Sequence, residues 1–261
     1  MLIVVSPAKA LDFESELPTD KRSQPLMLER SAELVEIMAR KSPDDLAEMM
    51  SISASLAELN HERFQDWTTP FTPDNSRPAV LAFDGDTYTG LDARSAFDER
   101  DFTHSQKVLR ILSGLHGVLR PLDLIQPYRL EMGSTLRHDG GDDLYSFWGD
   151  AVTDRLNDDL AGSPGAKVLV NLASNEYFSV VRTDRFDGRV IAPRFLDAKG
   201  DGEPKVVSFF AKQARGAMAG WMVRERITTI SALPTFDGLG YRFDESRSTP
   251  DQPVFARRDG G

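Results

Sequence analysis

Cysteine is absent from the 261-residue chain, which removes disulfides, thiolate metal ligands, thiol nucleophiles and thiol-based sensing of oxidants together. Histidine is scarce: the four at 61, 104, 116 and 138 show no HxH or HxxxH spacing, and a structural zinc site needs about four nitrogen or sulfur ligands. No metal site and no cofactor are expected. Long apolar runs are missing as well. The run from Leu2 to Val5 is far shorter than the roughly 20 residues of a membrane span, and too short for the apolar region of a signal peptide. A cytoplasmic chain with no membrane partner is expected. Internal repeats, heptads and low-complexity segments are lacking, as are the GxSxG, Walker A, GxGxxG, HExxH and EF-hand patterns. The composition shows no break, so a single domain over 1–261 is expected, with a monomer favoured. The 40% hydrophobic content is enough to bury a substantial core in a chain of this length.

What is present begins with charge. The formal net charge is -10, which argues against a uniformly basic nucleic-acid binder, but two stretches run the other way. Residues 104 to 137 carry Lys107, Arg110, Arg120, Arg129 and Arg137 against Asp123 and Glu131. Residues 205 to 226 carry Lys205, Lys212, Arg215, Arg224 and Arg226 against Glu225 alone. Two basic stretches in an acidic shell would steer a polyanion to one place. Ordinary solvated helix faces would give the same count.

Residues 2–6 (LIVVS) predict a buried strand stopped by Pro7. Helices are predicted over about 26–40, from Ser42 as N-cap with Pro43 at the first position, and over ISASLAELNHERFQDW. AVLAF (79–83) predicts a second buried strand, followed by a turn and short helix at DGDTYTGLDA. An amphipathic helix is predicted over 99–112 and a helical pattern over 144–160. KVLVNLAS predicts a strand and EYFSVV a short helix capped by Ser174. RVIAPRFLD and KVVSFF predict strands joined by a KGDGEP turn, AKQARGAMAGWMVRERI a long helix, and GYRFDE and PVFARR two short strands. The fold class is α+β: one compact domain with a mixed sheet flanked by helices and assembled from strands far apart in sequence.

Three stretches carry candidate chemistry. The helix from 99, the turn SGLHG and the segment after it fit a helix-hairpin-helix plan, in which Gly114 and Gly117, bracketing Leu115 and His116, present backbone N–H groups to phosphate while Arg110 and Arg120 supply charge. A tight turn between packed helices fits the same residues. SPAK (6–9) fixes Ser6 and Lys9 just beyond a buried strand, where ligands commonly bind in α/β proteins. AKQARG (211–216) puts Lys212 and Arg215 at i and i+3, on one helix face, and NLASNEYF (171–178) gathers Asn171, Ser174 and Glu176 at a strand end.

In order along the chain, SPAKALDF, LAFDGDTYTGL, LRILSGLHGVLRPLDLIQPYRLEMG, LYSFWGD, NLASNEYF and SFFAKQARGAM resemble the signature blocks of the bacterial peroxide stress protein YaaA family. The blocks span residue 1 to about 220. The resemblance implies a cytosolic protein that limits oxidative damage linked to free iron, and a helix-hairpin-helix element beside a basic cleft that binds double-stranded DNA. By motif match the cleft would take Lys9, Lys107, Arg110, Gly114, Leu115, His116, Gly117, Arg120, Tyr128, Arg129, Lys212 and Arg215, with Ser6, Asn171, Ser174 and Glu176 as polar lining. His116 stands where the family often has tyrosine. A second possibility is a lysine-dependent enzyme acting on a nucleic-acid or nucleotide substrate by lyase or N-glycosidic chemistry, with Lys9 as nucleophile and Glu176 moving protons. Direct iron sequestration by carboxylates ranks behind both.

Overall fold

Five short strands from distant parts of the sequence make the central sheet: β1 (Leu2–Val5), β2 (Leu109–Ser113), β3 (Gly117–Leu119), β4 (Val168–Leu172) and β5 (Arg189–Ile191). Their order is β5-β4-β1-β2-β3. The structure is a computed structural model that describes residues 1–200 and 202–259. All four residues of β1 are buried, as a strand covered on both faces must be, which is why it reads as an unbroken apolar run. It pairs in parallel with β4, Leu2 opposite Leu169 and Val5 opposite Leu172, and in parallel with β2, Val5 opposite Ile111. β3 returns antiparallel to β2, so the sheet is mixed. Three neighbouring strands therefore release their loops at one edge, after Val5, Ser113 and Leu172.

Helices cover the sheet. The first quarter is helical as predicted, in α1 (Leu28–Ala39), α2 (Pro43–Met50) and α3 (Ala54–Asp66). Ser42 and Asp45 form a reciprocal capping box at the start of α2, which satisfies two of the N–H groups that a helix start leaves open. α4 (Asp86–Leu91), α5 (Glu99–Val108), α6 (Ala151–Gly162) and α7 (Ser208–Arg224) follow. A smaller sheet of β6 (Arg194–Lys199), β7 (Arg242–Phe243) and β8 (Val254–Asp259) is held by an aromatic cluster in which Phe195 and Phe255 stack at 5.6 Å. Buried apolar residues from Met1 to Phe255 form one continuous core.

Three expectations are corrected. AVLAF is a helical turn over Ala79–Ala82 rather than a strand; all four residues are buried, and an apolar run without polar interruption has no period to separate helix from strand. Carbonyls of Asp123 and Pro121 take the N–H groups of Ala79 and Val80 at 2.8 and 2.9 Å. The strand expected over 205–210 reduces to Lys205 bridging Asp197, and Ser208 already opens α7. Val206 and Phe209 are about half exposed, so no buried face was there to make a strand. The turn expected at 199–204 falls partly on residues outside those described.

The third correction concerns the expected helix-hairpin-helix. α5 stops at Val108, and LRILS leaves it as strand β2, because the open edge of β1 accepts its backbone hydrogen bonds. SGLHG is the turn of a β-hairpin. Its glycines serve approach from inside the chain: a Cβ on Gly114 would lie 2.3 Å from the Leu130 carbonyl oxygen, and Gly117, at φ +63°, lies under the Trp148 ring. The Trp148 indole N–H donates to the Gly114 carbonyl at 3.0 Å.

Candidate functional site

At the edge where β1 and β4 end, the chain encloses a cleft of about 500 Å³. Four segments build it. Pro7 ends β1 and the next residues carry Lys9; the loop opening α4 brings Asp84 and Asp86; the segment covering the hairpin brings Glu131; and β4 leads into Ser174 and Glu176. The first turns of α7 close it with Lys212 and Arg215. Ser174 does two jobs here. Its backbone N–H donates to Ser6 Oγ at 2.8 Å, tying the two strand ends together, and its hydroxyl caps the short helix Asn175–Phe178. Tyr88 O–H fastens the same corner by donating to the Ser6 carbonyl at 3.1 Å.

The charges in the cleft differ in what already occupies them. Lys9 lies 2.8 Å from Glu131, which also takes Arg129 at 3.0 Å. Glu176 accepts the Gly133 N–H at 3.0 Å. Lys212 and Arg215 have neither an ion pair nor a hydrogen bond among the described residues. Arg215 is half-buried, and desolvation pushes its guanidinium below the ordinary range. A desolvated cation without an anion is costly, so this position favours an incoming negative group. Tyr177, buried in the wall, has its phenol raised well above the ordinary value by burial and by Tyr128 nearby, and stays neutral.

Of the residues expected from sequence, the cleft gathers Ser6, Lys9, Ser174, Glu176, Lys212 and Arg215. Asn171 lines a neighbouring cavity that shares Arg215. The others are elsewhere. Arg110 is 4% exposed and its Nε lies 2.6 Å from Asp159, itself 8% exposed. Arg120 folds back on the fully buried Asp123 at 2.8 Å. Leu115, His116 and Tyr128 are buried, His116 Nδ1 lying 2.9 Å from Ser31 Oγ and Tyr128 O–H 2.7 Å from Ser113 Oγ. Gly114 and Gly117 are enclosed by the contacts given above, and Lys107 is exposed on α5 away from the cleft lining. The first basic stretch is therefore largely a set of internal ion pairs, and the cleft lining carries both signs. Sequence reasoning missed Asp84, Asp86 and Glu131. The signal was in hand, since all three sit in the blocks DGDTYTG and LEMG that the chain devotes to this edge.

Among the described residues no group of three or more histidine, aspartate or glutamate side chains is placed to hold a metal ion, and no helix is long and apolar enough to cross a membrane.

His116 provides a pH signature of the hairpin's burial. Desolvation lowers its pKa to about 3, whereas an unfolded histidine titrates near 6.5. Below pH ~6.5 the unfolded chain binds a proton that the folded chain refuses, so this contribution to stability is complete above that pH and is lost as pH falls towards 3. The expected slope is about 1.4 kcal/mol per pH unit within the window. Urea unfolding at pH 7 and pH 5 should show it, and the slope should shrink in His116→Gln.

The family model described as peroxide stress protein YaaA matches residues 1–247. A UPF0246 protein of Colwellia psychrerythraea is 50% identical over 259 residues, covering 99% of this chain and 100% of the relative. A UPF0246 protein of Saccharophagus degradans is 50% identical over 258 residues, with the same coverage of each chain.

Proposed function

Because the chain belongs to the peroxide stress protein YaaA family, we propose that it acts in the cytoplasm to limit oxidative damage by binding double-stranded DNA, distorted or damaged duplex included, with the cleft at the strand ends holding phosphates. The observation that carries this reading is the pair Lys212 and Arg215. They sit one helical turn apart on α7, line the same cleft and have no partner among the described residues. Protein cations that take over phosphates displace the counterions condensed there. Ferrous iron held among those counterions would leave with them, which links binding to damage caused by free iron.

The reading is tested by anisotropy of a labelled duplex between 50 and 200 mM salt. Lys212→Ala with Arg215→Ala should reduce the slope of log affinity against log salt by about 0.9 per cation removed, with a loss of roughly tenfold or more in affinity. Salt-independent binding, or a double variant that matches the parent, would overturn it.

The four carboxylates of the cleft favour a second reading, because a site for phosphate alone gains nothing from them. In it the Lys9 amine, having passed a proton to the neighbouring Glu131, adds to the aldehyde carbon of an abasic sugar, and water leaves to form a protein–sugar imine while Glu176 moves protons. Borohydride should then trap a covalent adduct on abasic duplex that disappears in Lys9→Ala; no adduct from the parent protein removes this version.

A further inference from the structure

Arg215 lines a second cavity as well. It has about 350 Å³ and lies on the far side of β4's end, bounded by Asn171, Asn175, the segment joining β5 to β6, Gln252 and the start of α7. Its lining is unlike the rest of the molecule. The chain has 41 acidic residues against 31 basic ones, yet among the described residues no carboxylate lines this cavity, while two guanidiniums, Arg194 and Arg215, do. Arg194 makes a single long contact, 3.4 Å to the neutral Gln252 Oε1, and Arg215 makes none among the described residues. By contrast Arg110, Arg120, Arg129 and Arg257 each have a carboxylate within 3.0 Å.

The neutral polar groups are consistent with the same occupant. Asn171 Oδ1 is used by the Ala173 N–H at 2.9 Å, which leaves the Asn171 amide NH2 without a protein acceptor among the described residues. The Asn175 side chain likewise has no partner among them. Two guanidiniums and two amide donors lining one cavity have the chemistry to hold a tetrahedral oxyanion, since arginine's planar fork pairs two N–H groups with two phosphate oxygens. A carboxylate of the protein itself would have been the ordinary neutraliser, and the described residues supply none.

We propose that this cavity is a phosphate-binding subsite, built from Arg194, Arg215, Asn171 and Asn175 and continuous with the cleft through Arg215. It deepens the reading above and rests on it for the carrier: the phosphate belongs to the DNA backbone one or more nucleotides from that held by Lys212. The same chemistry would take the phosphate of a free nucleotide.

The test uses the full chain with Arg194→Gln, an exposed position whose one weak contact makes a folding defect unexpected and whose circular dichroism is checked against the parent. With a labelled duplex, Arg194→Gln should weaken binding by about tenfold and lower the salt slope by about 0.9. If Lys212→Ala weakens duplex binding while Arg194→Gln leaves affinity and slope unchanged, the cleft reading stands and the subsite is refuted. If the parent binds no duplex, the DNA reading fails on its own, and calorimetric titration with inorganic phosphate and with deoxyadenosine monophosphate decides the subsite. Saturable binding that is lost in Arg194→Gln supports a site for the free form. No saturable binding of duplex, phosphate or nucleotide overturns the proposal.

Discussion

Gly216→Ala is expected to destabilise the protein by about 3 kcal/mol or more, at the upper end of the cost of overpacking. α4 and α7 touch backbone to backbone. A Cβ added at Gly216 would lie 1.8 Å from the Thr87 carbonyl oxygen, and one at Gly90 would lie 2.0 Å from the Gln213 carbonyl oxygen. Neither obstacle is a side chain that can rotate away, so the two helices must separate. In a chain of this size each kcal/mol moves the melting temperature by roughly 2–4 °C, and a fall of about 6–12 °C is anticipated by differential scanning calorimetry. The same separation would shift Asp86 against Lys212 and Arg215, which line the same cleft, so duplex affinity should fall even where the variant is folded. Gly162→Ala supplies the control. A Cβ there meets nothing within 4 Å, and replacing glycine by alanine in a helix with free space should be neutral or stabilising by about 0.5–1 kcal/mol. Opposite signs for the two variants identify the close approach as the cause; equal effects would contradict it.

Arg110→Ala should cost about 3–5 kcal/mol, the range for breaking a buried ion pair by removing one partner. Asp159 would remain buried, with Arg155 at 2.8 Å as its remaining cation, and the Leu109 and Gln106 carbonyls would lose the guanidinium N–H groups that reach them at 2.7 and 3.0 Å. Replacing both members by apolar residues, Arg110→Met with Asp159→Leu, should recover only part of the loss. The Asp159 charge is no longer stranded, but among the described residues Arg155 keeps only Asp158 at 3.7 Å, and the two carbonyls still lack their donor. At a temperature where the single variant is folded, its duplex affinity and salt slope should equal those of the parent. A reduced slope would mean that Arg110 reaches phosphate after all. Guanidinium unfolding combined with anisotropy separates the two outcomes.

The fate of these arginines marks where reading the sequence succeeded and where it did not. Elements governed by neighbours in the chain were legible: the apolar run of β1, the capping signal at Ser42, the cap at Ser174 and the pairing of Lys212 with Arg215 on one helix face all follow from spacings of three or four residues. The fate of a charge is decided by a partner far away, and nothing local to LRILS announces Asp159. Arg120 could have been read, since Asp123 stands three residues on with Pro121 between to force the turn. LRILS itself was ambiguous, its leucines and isoleucine fitting a helical stripe as well as a strand, and the choice was made by the vacant edge of β1. The two glycines of SGLHG, expected to present their N–H groups to phosphate, instead admit the close approach of Leu130 and Trp148 of the same chain.

The order β5-β4-β1-β2-β3 also has a consequence in time. Of the five strands β1 is made first, and its two partners lie about 105 and 165 residues downstream. At a synthesis rate of about 5–20 residues per second, Leu2 to Val5 wait on the order of ten seconds or more before Val168 to Leu172 leave the ribosome. Through that interval the most buried strand of the finished protein is an exposed apolar segment, so the nascent chain should lean on chaperones far more than the native molecule does, and a refolding assay of the full chain should be slow and sensitive to protein concentration.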